Sequence, residues 1–448
     1  MNNQKQKIST EPYKGVRDFF PEDMFVQNYI FDKMKDTVKK FGYVEYGASV
    51  LESADLYRAK SGEEIVNEQT YNFIDRGGRE VAMRPEMTPT LARMIAARRR
   101  ELPTPIRWFS IPNLFRYENP QRGRLREHWQ LNVDIFGVKG IEAETEVISV
   151  AHELMKAFGF KDNDFEVRIN SRKITDYIIR DEFALNEEDG HKIVKLLDRK
   201  AKLPKEAFEE EVKNILGDKA QAFFTILNSK NFEEFVTAIP SVVDFCDCKG
   251  EVPEDKKEMV KAIAEIRELM ASLEALGIGN VVFDQTIMRG FDYYTGIVFE
   301  IFDNNPANKR AVFGGGRYDD LLALFGNDKV PAVGFGTGDV IIRDLMETYG
   351  TLPKYTNETK LYICLAEESA MGFAQETAQD LREDGINVAI DYSGKKIGDQ
   401  IKAADKMGIP YIVVIGGEEV KTGQLKVKNI VTGDEQTVAD TELAKLLK

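Results

Sequence analysis

Three kinds of residue are scarce in this chain: cysteine and histidine occur three times each among 448 residues, and tryptophan twice. An odd, sparse set of cysteines (Cys246, Cys248, Cys364) rules out a disulfide framework. Cys246-Asp247-Cys248 has the look of half a metal site. Zinc, however, wants four ligands from paired Cys/His clusters, and the histidines stand apart at 128, 152 and 191, so two ordinary thiols near a turn are expected. No apolar run approaches the roughly 18 residues of a membrane span, which argues against a membrane protein. The stretch Met1–Pro12 is polar and lacks an apolar signal region, so a cytoplasmic location is expected. There is no G-x-x-x-x-G-K-[ST] and no G-x-G-x-x-G before a helix, so any use of ATP needs another architecture. Positive charge is also short: the net charge is −14, which excludes a DNA-coating protein on global charge. A local basic face can still hold phosphates, because screening confines each charge to about 8–10 Å at physiological salt.

What is present is a globular composition, 43% hydrophobic and 30% charged, in a length that suits about two to four domains. Residues 23–41 carry apolar side chains at helical spacing (Met24, Tyr29, Ile30, Met34, Val38). Tyr43–Leu51 reads as extended. Tyr71–Ile74 and Glu80–Met83 flank Asp75-Arg76-Gly77-Gly78 as a hairpin. Pro89–Arg100 is helical, and Arg107–Glu118 and Glu127–Phe136 are strand-like runs around a loop bearing Arg122, Arg124 and Arg126. From Ser171 to about Leu276 the pattern is helical and charged, with breaks expected at Asp189-Gly190, Leu203-Pro204 and Ile239-Pro240. Strands return at Val281–Phe283 and Thr295–Ile301, so the helices read as an insertion within one sheet domain. After Leu352-Pro353, short β-rich runs (Leu361–Leu365, Val388–Ile390, Tyr411–Ile415, Leu425–Asn429) alternate with helices over Ala370–Asp384 and Lys396–Met407, predicting an α/β unit with a mostly parallel sheet.

Three segments concentrate chemistry. Side chains alternate along a strand, so Arg116 and Glu118 would share one face, and Gln130, Asn132 and Asp134 another. Such a hairpin is either a salt-bridged surface element or a holder for a phosphate, metal and amine ligand. In Arg84-Pro85-Glu86-Met87-Thr88-Pro89, prolines fix the backbone and Thr88 can cap a helix; the segment is a rigid helix start or one that aims Glu86 and Thr88 into a cleft. The three glycines of Val312-Phe313-Gly314-Gly315-Gly316-Arg317-Tyr318 permit close approach of a ligand to backbone, or make a bulge or turn.

Together these segments resemble the histidyl branch of the class II aminoacyl-tRNA synthetases, nearly end to end. Lys14-Gly15-Val16-Arg17-Asp18-Phe19-Phe20-Pro21 is similar to the N-terminal G-x-R-D-x-x-P signature, Phe115–Glu118 with its arginine loop to class II motif 2, and Ala332–Asp339 to the start of motif 3. Met288-Arg289-Gly290-Phe291-Asp292-Tyr293-Tyr294-Thr295-Gly296 and Gly315–Tyr318 resemble the two signatures peculiar to the histidine enzymes. The resemblance implies an α+β catalytic domain, an antiparallel sheet flanked by helices, over 1–170 and 277–350. It implies a helical insertion over 171–276 and an α/β anticodon-binding domain over 359–448. It implies ATP-dependent ligation of L-histidine to tRNA(His) through a histidyl-adenylate, in a cytoplasmic homodimer that binds neither DNA nor membrane. By the same resemblance Arg116 and Arg289 would be catalytic, on the ATP α-phosphate. Arg124 would meet ATP phosphate and Glu118 would serve Mg²⁺. Glu86, Met87, Thr88 and Gln130 would line the amino-acid site, Asp134 and Tyr294 would contact the imidazole, and Tyr293 and Tyr318 would wall the pocket. Two positions depart from the family: Ser49 stands where motif 1 often has proline, and Ile341 where motif 3 has an adenine-stacking arginine. Arg343, two residues on and about 200° around a helix, is a poor direct replacement, and Arg310 is another substitute. The rival readings are a regulatory paralogue of histidine biosynthesis, which usually lacks the anticodon domain and the 289–296 signature, another class II synthetase, or a non-catalytic RNA-binding protein.

Overall fold

A computed structural model describes residues 8–58, 68–200, 203–246, 252–287, 293–306, 308, 311–326 and 328–448. It contains two compact units, 1–353 and 354–448. Arg289, Arg310, Asp247 and Cys248 lie outside the described residues.

The strands of the first unit are, in chain order, β1 (Val44–Glu45), β2 (Leu51–Ser53), β3 (Tyr71–Ile74), β4 (Glu80–Met83), β5 (Ile106–Ser110), β6 (Asn113–Phe115), β7 (Glu127–Phe136), β8 (Phe165–Ser171), β9 (Val281–Phe283), β10 (Ile297–Asp303), β11 (Ala311–Arg317) and β12 (Ala332–Gly338). Nine of them form one sheet in the order β1-β5-β7-β12-β11-β10-β8-β9, with β6 also on β7; β2, β4 and β3 form a small second sheet. Pairing is antiparallel from β5 through β8 and parallel only at the two ends, β1 with β5 and β8 with β9.

Alternation decides which face is buried. Leu131, Val133 and Ile135 on β7, Val333 and Phe335 on β12, and Phe299 and Ile301 on β10 enter one core. Its other side is supplied by Ile30 and Met34 of the helix Pro21–Lys40, Val147 and Ile148 of Glu142–Ala157, and Ile342 and Leu345 of Asp339–Tyr349. Each such side chain contributes about 1.5–3 kcal/mol on burial. The opposite face of the same strands carries polar residues and glycine, and that face holds the cavity described below.

Between β8 and β9 every element is helical, from Arg172 to Ala275. The breaks at Pro204 and Pro240 occur, but the one expected at Asp189-Gly190 does not. There the helix Glu187–Arg199 is already under way, because the Asn186 side chain caps it by accepting from the Asp189 N–H at 2.9 Å. A cap followed by three acidic residues outweighs one glycine in the first turn. Phe232 and Phe235 of this segment pack on Phe283 of β9, with centroids 4.6 and 4.7 Å apart, so its core is continuous with that of the sheet.

The run Arg107–Glu118 is not one strand. Ile111-Pro112 splits it into β5 and β6, and the ladder ends at Phe115. Proline has no N–H for a ladder; here the Pro112 carbonyl instead accepts from Gln130 N–H at 3.0 Å. Arg116 and Glu118 therefore lie beyond the strand and share no strand face. The Asn119–Arg126 loop folds back through reciprocal 2.9 Å bonds between Gln121 and Arg124, with Gly123 at φ +75°.

The second unit is a five-stranded sheet of β13 (Leu361–Leu365), β14 (Val388–Ile390), β15 (Tyr411–Ile415), β16 (Gln424–Asn429) and β17 (Glu435–Ala439), in the order β14-β13-β15-β16-β17. The first three are parallel and joined by helices, as expected, whereas β16 and β17 add as an antiparallel pair. Glu435-Gln436-Thr437 is exposed and polar, so β17 has no hydrophobic alternation to announce it. No described helix of the chain is long and apolar enough to cross a membrane.

Candidate active site

The register of three strands makes the floor of the site. Across β7 and β12, Asp134 faces Gly334, Asn132 faces Gly336 and Gln130 faces Gly338; across β12 and β11, Gly336 faces Gly314 and Gly334 faces Gly316. Residues directly opposite one another project on the same face. A row of polar side chains on β7 thus borders two strands stripped of side chains on that face. The stripping is required. A Cβ on Gly334 would lie 2.1 Å from Asp134 Oδ1, and one on Gly336 2.9 Å from Gln130 Cδ. Above this floor lies a cavity of about 1040 Å³.

One end of the cavity is aromatic. Asp134 is buried, and burial pushes its carboxyl up to about 7 despite the hydrogen bond donated by the Tyr318 hydroxyl. Tyr293 packs against Tyr294 and Tyr318 with centroids 4.9 and 5.7 Å away, and its hydroxyl points at Glu86 Oε2 at 3.5 Å. Tyr293 and Tyr294 precede β10 rather than lying on it, and Tyr318 directly follows β11. Thr88 also lines the cavity, but as the first residue of the helix Thr88–Arg98 and not as its cap, a place taken by Met87 without a side-chain bond. Met87, expected beside Glu86 in the site, is 1% exposed and lies in the core, outside the cavity lining.

The other end gathers arginines. Arg116 Nε donates to the Pro85 carbonyl at 2.8 Å, next to Glu86, and Arg124 Nη1 stands 3.5 Å from Glu118. Arg126 is turned away from the cavity, over the Tyr117 ring at 4.1 Å and onto the Tyr13 hydroxyl at 2.9 Å. Beyond Arg116 the lining continues with Leu125, His128, Gly338, Val340 and Ile341, and Arg122, Gly123 and Arg124 of the loop line it too, with Gly123 set against the Ile341 side chain. Burial, helped by the charges of Arg116 and Arg17, holds His128 down at about 3, so its imidazole is neutral. Arg343 does not replace the missing motif 3 arginine, because its guanidinium is bound to Asp23 at 2.8 Å and to Glu347 at 3.4 Å. Two conspicuous arginines of the sequence are structural. Arg84 bonds the carbonyls of Asn113 and Ala48 at 2.9 and 2.8 Å, and Arg317 makes a buried bidentate pair with Glu144, both bonds 2.6 Å.

A family model described as histidyl-tRNA synthetase matches residues 15–338, and one described as an anticodon binding domain matches residues 360–448. The chain belongs to the histidyl-tRNA synthetase family. It is 42% identical to a histidine–tRNA ligase of Leptospira biflexa over 99% of this chain and 98% of that one. It is 34% identical to a histidine–tRNA ligase of Thermoplasma volcanium over 98% and 99%. A histidyl-tRNA synthetase crystal structure from Nostoc superposes with a TM-score of 0.81 over 98% and 99% of the two chains; at 20% identity it speaks for the fold alone.

Within this class II fold, the cavity brings together Glu86, Thr88, Arg116, Glu118, Arg124, Gln130, Asp134, Tyr293, Tyr294 and Tyr318, ten of the twelve residues that the sequence singled out; Met87 lies in the core and Arg289 outside the described residues. Sequence reasoning missed His128 and Glu300. His128 has the same strand parity as Gln130, a signal that was there to use. Glu300 faces Gly314 across β10 and β11, a relation that only the register reveals.

Proposed function

We propose that this cavity joins L-histidine to tRNA(His) at the expense of ATP, through a histidyl-adenylate. The observation that carries the reading is the single row His128, Gln130, Asn132, Asp134 bordering a glycine floor. It puts an acidic, tyrosine-walled pocket and an end lined by His128 and Ile341 on one surface, with Arg116, Arg122 and Arg124 in the same lining. Asp134 and Tyr294 contact the imidazole. Glu86, Thr88 and Gln130 take the α-ammonium, and Tyr293 and Tyr318 wall the pocket. A site whose polar groups pair with both imidazole nitrogens can reject analogues lacking them by about 10⁴–10⁵. The purine lies at the His128–Ile341 end.

The histidine carboxylate attacks the α-phosphorus, the bond to the bridging oxygen breaks, and diphosphate leaves with the electron pair. Arg116 and Arg289 stabilise charge on the α-phosphate, an effect worth about 3–4 kcal/mol per donor in preorganised sites. Arg124 meets the phosphates. The 3′-hydroxyl of the terminal ribose then attacks the histidyl carbonyl and AMP leaves. Glu118, a cavity carboxylate 3.5 Å from Arg124, is the residue that would hold Mg²⁺, which binds through one or two carboxylates together with substrate phosphates. When bound, the ion would neutralise charge on the departing diphosphate.

Residues 1–170 and 277–350 form the catalytic domain in this reading, 171–276 an insertion that grips the acceptor arm, and 359–448 the reader of the anticodon. The chain works in the cytoplasm as a homodimer; Val44, Leu51, Phe73 and Ile74, each more than 45% exposed on β1 or the small sheet, are apolar side chains that a second copy would cover. Sedimentation checks the dimer. Histidine-dependent exchange of diphosphate into ATP tests the first chemical step, and charging of tRNA(His) the second. Absence of exchange with histidine, ATP and Mg²⁺ all present overturns the reading.

A further inference from the structure

The segment Gly15–Pro21 touches no substrate in the scheme above and does not line the cavity, yet it is bonded to the loop and the strand behind the lining. The Gly15 carbonyl accepts from the N–H groups of Arg126 and Glu127 at 2.8 and 3.4 Å, where the motif 2 loop returns to β7. Gly15 has φ +89°, and a Cβ there would lie 2.8 Å from Arg126 Cγ. Two residues on, Arg17 Nη2 donates to Asp339 Oδ2 at 2.7 Å. Asp339 is completely buried. It also accepts from Gln27 Nε2 of the helix Pro21–Lys40 and from the backbone N–H of Trp129 on β7, each at 2.9 Å. The Arg17 guanidinium lies 4.9 Å over the Phe19 ring, which meets Trp129 edge-on at 5.4 Å.

One buried carboxylate thus gathers donors from three segments remote in sequence, and its position in the chain gives it a task. Trp129 stands between His128 and Gln130, both on the cavity floor. Asp339 opens the helix that carries Val340 and Ile341. The carboxylate therefore sets the spacing of the two walls of the His128–Ile341 end. A buried carboxylate needs its cation: charge-assisted bonds are short and strong, and removal of one partner leaves the other uncompensated. The opposite end of the cavity is held separately, by Tyr318 and Gly334 around Asp134, about 17 Å farther along β7 at roughly 3.3 Å per residue.

We propose that Arg17, acting through Asp339, is a positioning residue for the nucleotide half of the site, so that the N-terminal signature serves ATP and not histidine. This rests on the assignment of the His128–Ile341 end to the purine. The test uses the full chain and histidine-dependent ATP–diphosphate exchange, titrating ATP and histidine in turn, for Arg17→Ala, Arg17→Lys and the neutral pair Arg17→Gln/Asp339→Asn, with melting temperature recorded alongside. Arg17→Ala is expected to raise KM for ATP about tenfold while KM for histidine stays within about twofold, a split that a general loss of binding cannot produce. Arg17→Lys recovers most of the ATP affinity, and the neutral pair falls between. A pair that only stabilised the fold would lower the melting temperature and the active fraction, hence kcat, with both KM values unchanged; that result overturns the proposal, as does a parallel rise of both. Should Arg17→Ala not fold, the other two variants make the same comparison. Failure of the ligase reading looks different, since the unsubstituted chain would then give no exchange.

Discussion

Gly334→Ala adds one methyl group and should damage histidine recognition selectively. Its backbone conformation is open to alanine, so the difficulty is space. The new Cβ would stand 2.1 Å from Asp134 Oδ1 and 2.7 Å from the Val133 carbonyl, whereas ordinary contact begins at 3.4 Å. The Val133 carbonyl is held in the β7–β12 ladder, so β12 has to ease away from it by about 0.7 Å, and the carboxylate has to retreat as well, by up to about 1.3 Å. A retreat of that size stretches the Tyr318–Asp134 hydrogen bond beyond the roughly 3.5 Å at which such bonds end. A hydrogen bond to a charged group contributes about 1.5–3 kcal/mol, which corresponds to roughly 10- to 150-fold in an equilibrium constant. We therefore expect KM for histidine to rise by about 10- to 100-fold in ATP–diphosphate exchange, with KM for ATP changed less than about threefold. Gly279→Ala, whose Cβ would meet nothing within 4 Å, is the control and should stay within about twofold of the parent, as open surface substitutions do. A folded Gly334→Ala protein with unchanged KM for histidine would refute the reasoning, because it would mean that Asp134 is not where histidine binds.

Three further outcomes follow from the same site. Burial lifts the Asp134 carboxyl to about 7, whereas the unfolded chain titrates near 4, so between these values the folded state holds a proton that the unfolded state lacks and stability falls as pH rises through the window; Asp134→Asn should melt higher than the parent at pH 8 and lose that advantage by about pH 4, and it should abolish the rise in KM for histidine that the parent shows below about pH 7. Arg317→Ala strands Glu144 as an unpaired buried charge, a loss of about 3–5 kcal/mol, and should lower the melting temperature without changing KM for histidine, with Arg317→Met/Glu144→Leu recovering much of the stability; a change in KM instead would place Arg317 in the pocket. Arg116→Ala and Arg289→Ala should each reduce the exchange rate by about 10²-fold or more while tRNA binding, measured by filter retention, is nearly intact; exchange at the parental rate would remove that arginine from the α-phosphate.

The hairpin Tyr71–Met83 and the helix Pro21–Lys40 were legible in the sequence because their periodicities are strong and their ends are marked by Gly77-Gly78 and Pro21. So was the row on β7, whose polar–apolar alternation runs unbroken from His128 to Ile135. Other features depend on contacts between segments distant in the chain. Nothing local in Asp339 tells that it will anchor Arg17, Gln27 and Trp129, or that Arg317 will turn to Glu144 while its neighbour Tyr318 turns to Asp134. Glycine spacing is ambiguous for the same reason: Gly314 and Gly316 become a floor only because Gly336 and Gly334 lie opposite them. Asp189-Gly190 misled because a capping bond one residue before the helix overrides an intrinsic preference.

The glycine floor has a consequence for the empty protein. A sheet usually completes its packing with side chains on both faces; here two neighbouring strands leave part of one face as a mould. Substrates that settle into it act as the missing side chains, and they tie together segments that contribute to the mould from residues 86 to 341. Histidine and ATP should then behave as structural parts of the catalytic unit as well as reactants, each raising its resistance to heat and protease by mass action. Supply of amino acid and nucleotide would in that way govern how long the molecule survives as well as how fast it works.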